Sequence, residues 1–170
     1  MNRREFIQSG CGALAATALP GCLTADSRPV TFGLVADIHY ADIDDKIGRH
    51  YREAESRLAE CVRTMNGLKP DFLIELGDFK DLSKDKTATL VHLAAIENSF
   101  AAFNGPRYHV FGNHDFDCLT QDELGGRLEN NGALMTSGHY AFDVKGIRFV
   151  VLDACYDSNF EHYSCNNPWD

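Results

Sequence analysis

What most constrains this chain is a recurring arrangement: three short apolar runs, each ending in metal-binding residue types. Val30 to Ala36 leads into Asp37-Ile38-His39, Phe72 to Leu76 into Gly77-Asp78, and Tyr108 to Phe111 into Gly112-Asn113-His114-Asp115. Apolar, partly β-branched runs of this length read as buried strands. Two stretches of helical periodicity separate them. Residues 49–66 place Tyr51, Ala54, Leu58, Cys61, Val62 and Met65 on one face, with Gly67 expected to stop the helix. Residues 86–103 turn Leu90, Leu93, Ala94 and Phe100 inward and close at Asn104-Gly105-Pro106. Strand, helix, strand, helix, strand defines an α/β fold with a parallel, helix-covered sheet. Steps of 41 residues from Asp37 to Asp78 and 35 from Asp78 to Asn113 each fit one βαβ unit. All three clusters should therefore emerge on one edge of the sheet, where such folds gather ligands. Further on, Tyr140, Phe142 and Val144 alternate, Lys145-Gly146 turns, and Ile147 to Leu152 runs back. This is a hairpin, expected to make the sheet mixed.

Each cluster alone has an ordinary explanation, since Asp often caps a helix and Gly-Asp is a common turn pair. A specified four-residue string such as Gly-Asn-His-Asp, however, arises by chance on the order of once in 10⁵ positions. Three such clusters at three strand ends exceed turn chemistry. Their carboxylate, imidazole and amide donors suit Mn²⁺, Fe or Zn²⁺ better than Ca²⁺, which prefers oxygen alone. A carboxylate between two other ligand groups can bridge two ions, and two ions about 3.5–4 Å apart clamp a phosphoryl group and activate water. Charge points the same way. With 16 Lys+Arg against 25 Asp+Glu, a net charge of -9, the chain has no basic face for nucleic acid, whereas a small phosphorylated substrate neutralised by metal fits. The six cysteines include no C-x-x-C pair, which removes zinc-ribbon and thioredoxin-type chemistry. Neither a G-x-S-x-G elbow nor a phosphate-binding P-loop occurs.

The ordered set D-x-H, G-D and G-N-H-D resembles the calcineurin-like metallophosphoesterases over residues 31–170. Phe32 to Asp45, followed by Arg49, Tyr51 and Arg52, is similar to the subgroup containing Mn-dependent ADP-ribose/CDP-alcohol diphosphatases. The resemblance implies a helix-flanked β-sandwich that hydrolyses phosphate esters or nucleotide pyrophosphates with two divalent ions. It also implies residue roles. Asp37 and His39 hold the first ion, Asp78 bridges, and Asn113 serves the second. His114 stabilises the transferring phosphoryl group and protonates the leaving oxygen, and Asp115 hydrogen-bonds that imidazole to hold it charged. Gly77 and Gly112 let the backbone approach the ions. Arg49 and Arg52 are candidate substrate-phosphate contacts, with a solvated helix face as their plainer reading. His50, His92, His109, His139 and His162 read as surface or packing residues. The family's later ligands, an isolated histidine and a G-H-x-H pair, do not follow: Gly138-His139 continues into Tyr140-Ala141. The expectation is an incomplete domain over residues 30–170, lacking the C-terminal half of the fold and inactive by itself. The alternative is a non-catalytic exported lipoprotein that retains half of the phosphoesterase fold.

Residues 1–21 carry Arg3-Arg4 before Phe6-Ile7 and then an uncharged small-residue stretch, Ser9 to Leu19. That stretch is shorter than the roughly 17–25 apolar residues of a spanning helix and resembles a twin-arginine (Tat) export signal. Gly10-Cys11-Gly12-Ala13-Leu14-Ala15 matches a dinucleotide fingerprint, but no strand precedes it. Leu19-Pro20-Gly21-Cys22 is similar to a lipoprotein box, with Cys22 as the lipidation site and residues 22–29 as a tether. The expected location is the periplasm, free or held at the membrane only by lipid. In that oxidising space Cys61, Cys118, Cys155 and Cys165 either pair, Cys155 with Cys165 over a short loop, or remain half-buried thiols. Replacing Arg3 and Arg4 together by Lys should trap the precursor in the cytoplasm, and Cys22→Ala should release a soluble form. Cell fractionation reads both, and normal delivery of the double-Lys form refutes the leader.

Overall fold

A computed structural model describes residues 28–164. The expected leader, Cys22 and Cys165 lie outside the described residues. Strands β1 (Phe32–Val35), β2 (Phe72–Glu75) and β3 (Arg107–His109) form one parallel sheet in the order β1-β2-β3. Val35 lies beside Glu75, and Glu75 beside His109, so the carboxyl ends of all three strands share one edge. Helix α1 (Ala54–Leu68), entered through a 3-10 turn at Tyr51–Glu53, and helix α2 (Lys86–Ala101) are the two crossovers.

The α1 stripe buries Ala54, Leu58 and Val62 as its periodicity requires. The helix runs through Gly67, which faces open space, and ends at Leu68. Lys69 makes the stop instead, in a left-handed conformation (φ 53°) with its N–H donating to the Met65 carbonyl at 2.8 Å. Asp85 caps α2 by accepting from the Ala88 N–H at 2.8 Å. Leu93, Ile96 and Phe100 form its buried face, and Ala94 is exposed rather than inward. Two features escaped the sequence pattern: the short helix α3 (Gln121–Gly125), capped by Thr120, and the small ribbon of β4 (Glu129–Asn130) with β5 (Ala133–Leu134).

The hairpin of β6 (Tyr140–Val144) and β7 (Ile147–Val151) is a separate two-stranded sheet. It therefore does not make the parallel sheet mixed; it stacks on the face opposite the helices. Phe72 is the contact point, with the rings of Phe149, Phe142 and Tyr108 set edge-on at 4.9, 5.1 and 5.8 Å. β2 is consequently buried on both sides: Leu73 joins the helix-side core, and Phe72 and Ile74 the hairpin-side core. β1, expected as a buried strand, is fully covered on one face only, although the Phe32 ring on the other meets Phe149 of the hairpin edge-on. Gly33 is buried on the covered face, while Phe32 and Leu34 on the other remain 45% and 56% exposed. Among the described residues Cys61, Cys118 and Cys155 are free thiols, and no helix is long and apolar enough to cross a membrane.

The helix-side core also contains charge. His109 is fully buried, with Nδ1 2.9 Å from Glu75 Oε1 and Nε2 3.0 Å from Glu97 Oε2; Arg107 backs Glu97 at 3.2 Å. Burial works against a charged imidazole, but the bonds to Glu75 and then Glu97 outweigh it and raise the His109 pKa to about 9. A histidine whose folded pKa lies above its unfolded value stabilises the fold below the unfolded pKa of about 6.5. That contribution, on the order of 3 kcal/mol, is lost as pH rises through about 9. Denaturant unfolding should therefore show stability falling between these pH values in the wild type, and a flatter profile in His109→Gln.

Candidate metal centre

Beyond β1 the chain enters the left-handed region twice, at Asp37 (φ 56°) and His39 (φ 49°), and Asp78 beyond β2 does the same (φ 54°). Only a few per cent of non-glycine residues adopt this conformation, Asp and His more readily than most. Three expected ligands sharing it means that the surroundings hold these loops. The carbonyls of Gly77, Asp78 and Phe79 accept the N–H groups of Asp37, His39 and Tyr40 at 3.2, 2.8 and 3.3 Å. In turn the N–H groups of Asp78, Phe79 and Lys80 donate to the Asp115 carboxylate at 3.1, 3.0 and 3.3 Å, and the Gly112 N–H joins them at 2.9 Å.

This arrangement corrects one expectation. Asp115 makes no bond to the His114 imidazole, because both its oxygens are taken by backbone N–H groups. Burial and then the charge of Glu75 push its carboxyl upward, while Lys80 and the backbone donors pull it back. Gly77 and Gly112 lie directly against each other. A Cβ on Gly77 would lie 2.6 Å from the Gly112 nitrogen, so only glycine lets the two loops touch.

The side chains converge above this backbone junction. His39 Nε2 lies 3.7 Å from Asp37 Oδ1 and 3.6 Å from Asp78 Oδ2. Ligand atoms held about 2.1 Å from one ion sit roughly 3–4 Å apart, so this donor set fits a divalent cation. His39, Asp78 and His114 each offer an atom within 4.8 Å of the others, and the two imidazoles meet edge-on at 4.9 Å. Asn113 opens a 3-10 turn (Asn113–Phe116) between Gly112 and His114, whose own N–H donates to Asp78 Oδ1 at 3.0 Å. Lys80, fully buried, donates to the His114 carbonyl at 2.5 Å.

Asp81 takes the place expected of Asp115. Its Oδ1 is 2.7 Å from His114 Nδ1 and 3.2 Å from His39 Nδ1. Although burial opposes it, the bond to His39 and the His114 charge hold the Asp81 carboxyl below its usual range. Reciprocally, burial pulls the His39 pKa down but Asp81 carries it upward. With His114 and Asp117, Asp81 forms a second group of metal-binding type. Sequence reasoning missed both acids, though each stands three residues after a motif residue, Asp78 or His114. Of the arginines, Arg49 reaches the site, with Nη1 3.4 Å from Asp81 Oδ2. Arg52 does not: it pairs on the outer surface with Asp42 and Asp44, as a solvated helix face would. Arg49 also lines a cavity of about 380 Å³ together with Asp37, His39, Ile38, Tyr51 and Arg57. The other histidines are occupied elsewhere, His50 by Asp45, His92 by Ser83, and His162 by Asp153.

A parallel sheet whose strand ends gather histidines and carboxylates in this order is the mark of the calcineurin-like phosphoesterases. That family's profile matches residues 30–166, and the chain belongs to the family. Among curated relatives, a manganese-dependent ADP-ribose/CDP-alcohol diphosphatase of Oryza sativa is 36% identical over 148 residues, 81% of this chain and 45% of the relative. The Arabidopsis thaliana protein of the same name is 36% identical over 136 residues, 75% of this chain and 42% of its own. This chain thus spans less than half the length of these relatives. The crystal structure of a dimetal phosphatase from Danio rerio aligns with 51% of this chain and 30% of its own, at 28% identity and a TM-score of 0.45.

The Asp115 geometry has a direct test. Asp115→Asn places an amide N–H₂ against backbone donors and should lower stability by about 3 kcal/mol or more, read by denaturant unfolding. An unchanged unfolding midpoint with reduced turnover would instead return Asp115 to the imidazole.

Proposed function

We propose that this chain carries the metal-binding part of a hydrolase acting on phosphoester or diphosphate bonds of a small, nucleotide-like substrate. The convergence of His39, Asp78 and His114, from three separate strand ends, within 4.8 Å of one another carries this reading. In the assignment we favour, Asp37 and His39 would hold a first divalent ion, Asn113 would serve a second, and Asp78 would be shared between them. Mn²⁺, supported by the names of the relatives, heads the candidates, with Fe and Zn²⁺ behind it. Such ions would supply positive charge for phosphoryl oxygens and acidify water.

The chain's own groups do the rest. His114 faces Asp81 through Nδ1, and a carboxylate there fixes the tautomer and orientation of the ring. A ring so held is suited to stabilise phosphoryl charge and protonate a departing oxygen. Beside it, Arg49 and the cavity of about 380 Å³ offer a cation and partly apolar walls to the remainder of the substrate. The names of the relatives favour ADP-ribose or a CDP-alcohol in that space. The Arg3-Arg4 leader and the box at Cys22 support action outside the cytoplasm.

Equilibrium Mn²⁺ binding and hydrolysis of ADP-ribose by the full-length protein test this reading. Asp78→Asn should lower both metal content and turnover. His114→Ala should lower turnover about 10²–10⁴-fold with metal retained. Equal metal loss in the two variants would overturn the division of roles, and a wild type that binds no Mn²⁺ would overturn the reading.

A further inference from the structure

Beneath the candidate ligand residues lies a second carboxylate with no part in the proposed chemistry. Glu75 ends β2, is fully buried, and accepts the Gly77 N–H through Oε2 at 2.8 Å. Together with Asp115 it completes a pattern: the four successive N–H groups of Gly77, Asp78, Phe79 and Lys80 all end on two buried carboxylates. Such a pair is expensive, because each group loses hydration and the two repel. Buried cations offset that cost on both sides. Lys80 lies on the Asp115 side, and on the Glu75 side His109 sets Nδ1 2.9 Å from Oε1.

The imidazole is tightly enclosed. Phe79 and Phe100 pack against it edge-on at 5.1 and 4.9 Å, and Glu97 lies 3.0 Å from Nε2. Strand register keeps it there, since Glu75 and His109 are direct neighbours across β2 and β3. An ion pair serving stability alone would have no need to bond the first residue of the ligand turn. This one does, and the next residue is Asp78, in its left-handed conformation.

Resting on the phosphohydrolase reading, we propose that Glu75, neutralised by His109, is a positioning residue for Asp78. It fixes the Gly77 end of the turn as Asp115 fixes the remainder, so that the Asp78 carboxylate meets His39 before any ion arrives. The acceptor oxygen of residue 75 holds the turn, and its charge holds His109.

Two variants separate these parts. Glu75→Leu removes oxygen and charge, whereas Glu75→Gln keeps an acceptor oxygen and removes the charge. In the metal-free protein, amide hydrogen exchange at Gly77 and Asp78 should speed up at least about ten-fold in Glu75→Leu relative to the amides of α2. Glu75→Gln should keep that protection while losing overall stability. Mn²⁺ affinity should fall about 10- to 100-fold in Glu75→Leu and hold in Glu75→Gln. Unchanged Gly77 and Asp78 exchange in Glu75→Leu overturns the proposal, as does equal loss in the two variants. Should Glu75→Leu not fold, Glu75→Gln decides: retained Gly77 protection supports the clamp, and lost protection overturns it. A wild type that binds no Mn²⁺ but shows the expected exchange pattern supports the clamp and removes the phosphohydrolase reading.

Discussion

The Asp115 carboxylate accepts N–H groups from two different loops, Gly112 on its own side and Asp78, Phe79 and Lys80 on the other. Without it, the loops after β2 and β3 would leave four backbone donors with no acceptor in the protein interior, a cost of roughly 1–3 kcal/mol each. Everything at the strand ends follows from this junction. The Gly77–Phe79 carbonyls are left pointing the other way, where they take the N–H groups of Asp37, His39 and Tyr40. Three loops are thereby joined through one stretch of backbone, and the candidate ligands are its side chains.

The charged residues underneath have a graded arrangement. Nearest the strand ends lies Glu75, next His109, then Glu97, and outermost Arg107 with Glu129. Alternating signs let each buried ion face an opposite one, the condition under which such groups are tolerated in a core. The hairpin is tied to the same row: the Tyr140 hydroxyl donates to the His109 carbonyl at 2.6 Å. Layers on both faces of the sheet are thus referenced to the strand ends that carry the site.

Much of this was legible in the residues. The strand-end clusters and their spacing placed Asp37, His39, Asp78, Asn113 and His114 on one edge, because the crossover length of a βαβ unit fixes where each strand must end. What stayed hidden depends on contacts across that edge. Asp115 lies next to His114 in sequence, but a 3-10 turn sends the two side chains to different partners, so adjacency misled. Asp81 became visible only once the loops closed. His109 looked like a solitary histidine because its partners come from a neighbouring strand and from α2. The half-covered face of β1 was equally unreadable: the alternation reports apolar residues, not how far a hairpin more than a hundred residues later extends over them.

The bonds of Asp115 to Asp78, Phe79 and Lys80 join residues 37, 36 and 35 positions apart. Contacts of that span require a crossover to be closed first, at a cost in chain entropy that local turns and helices avoid. The ligand pocket therefore forms only with the same crossovers that pair β1 with β2 and β2 with β3. A metal ion that needs these side chains together would bind the folded chain in preference to the unfolded one. Such an ion would add to the stability of the finished domain by an amount set by its concentration and affinity.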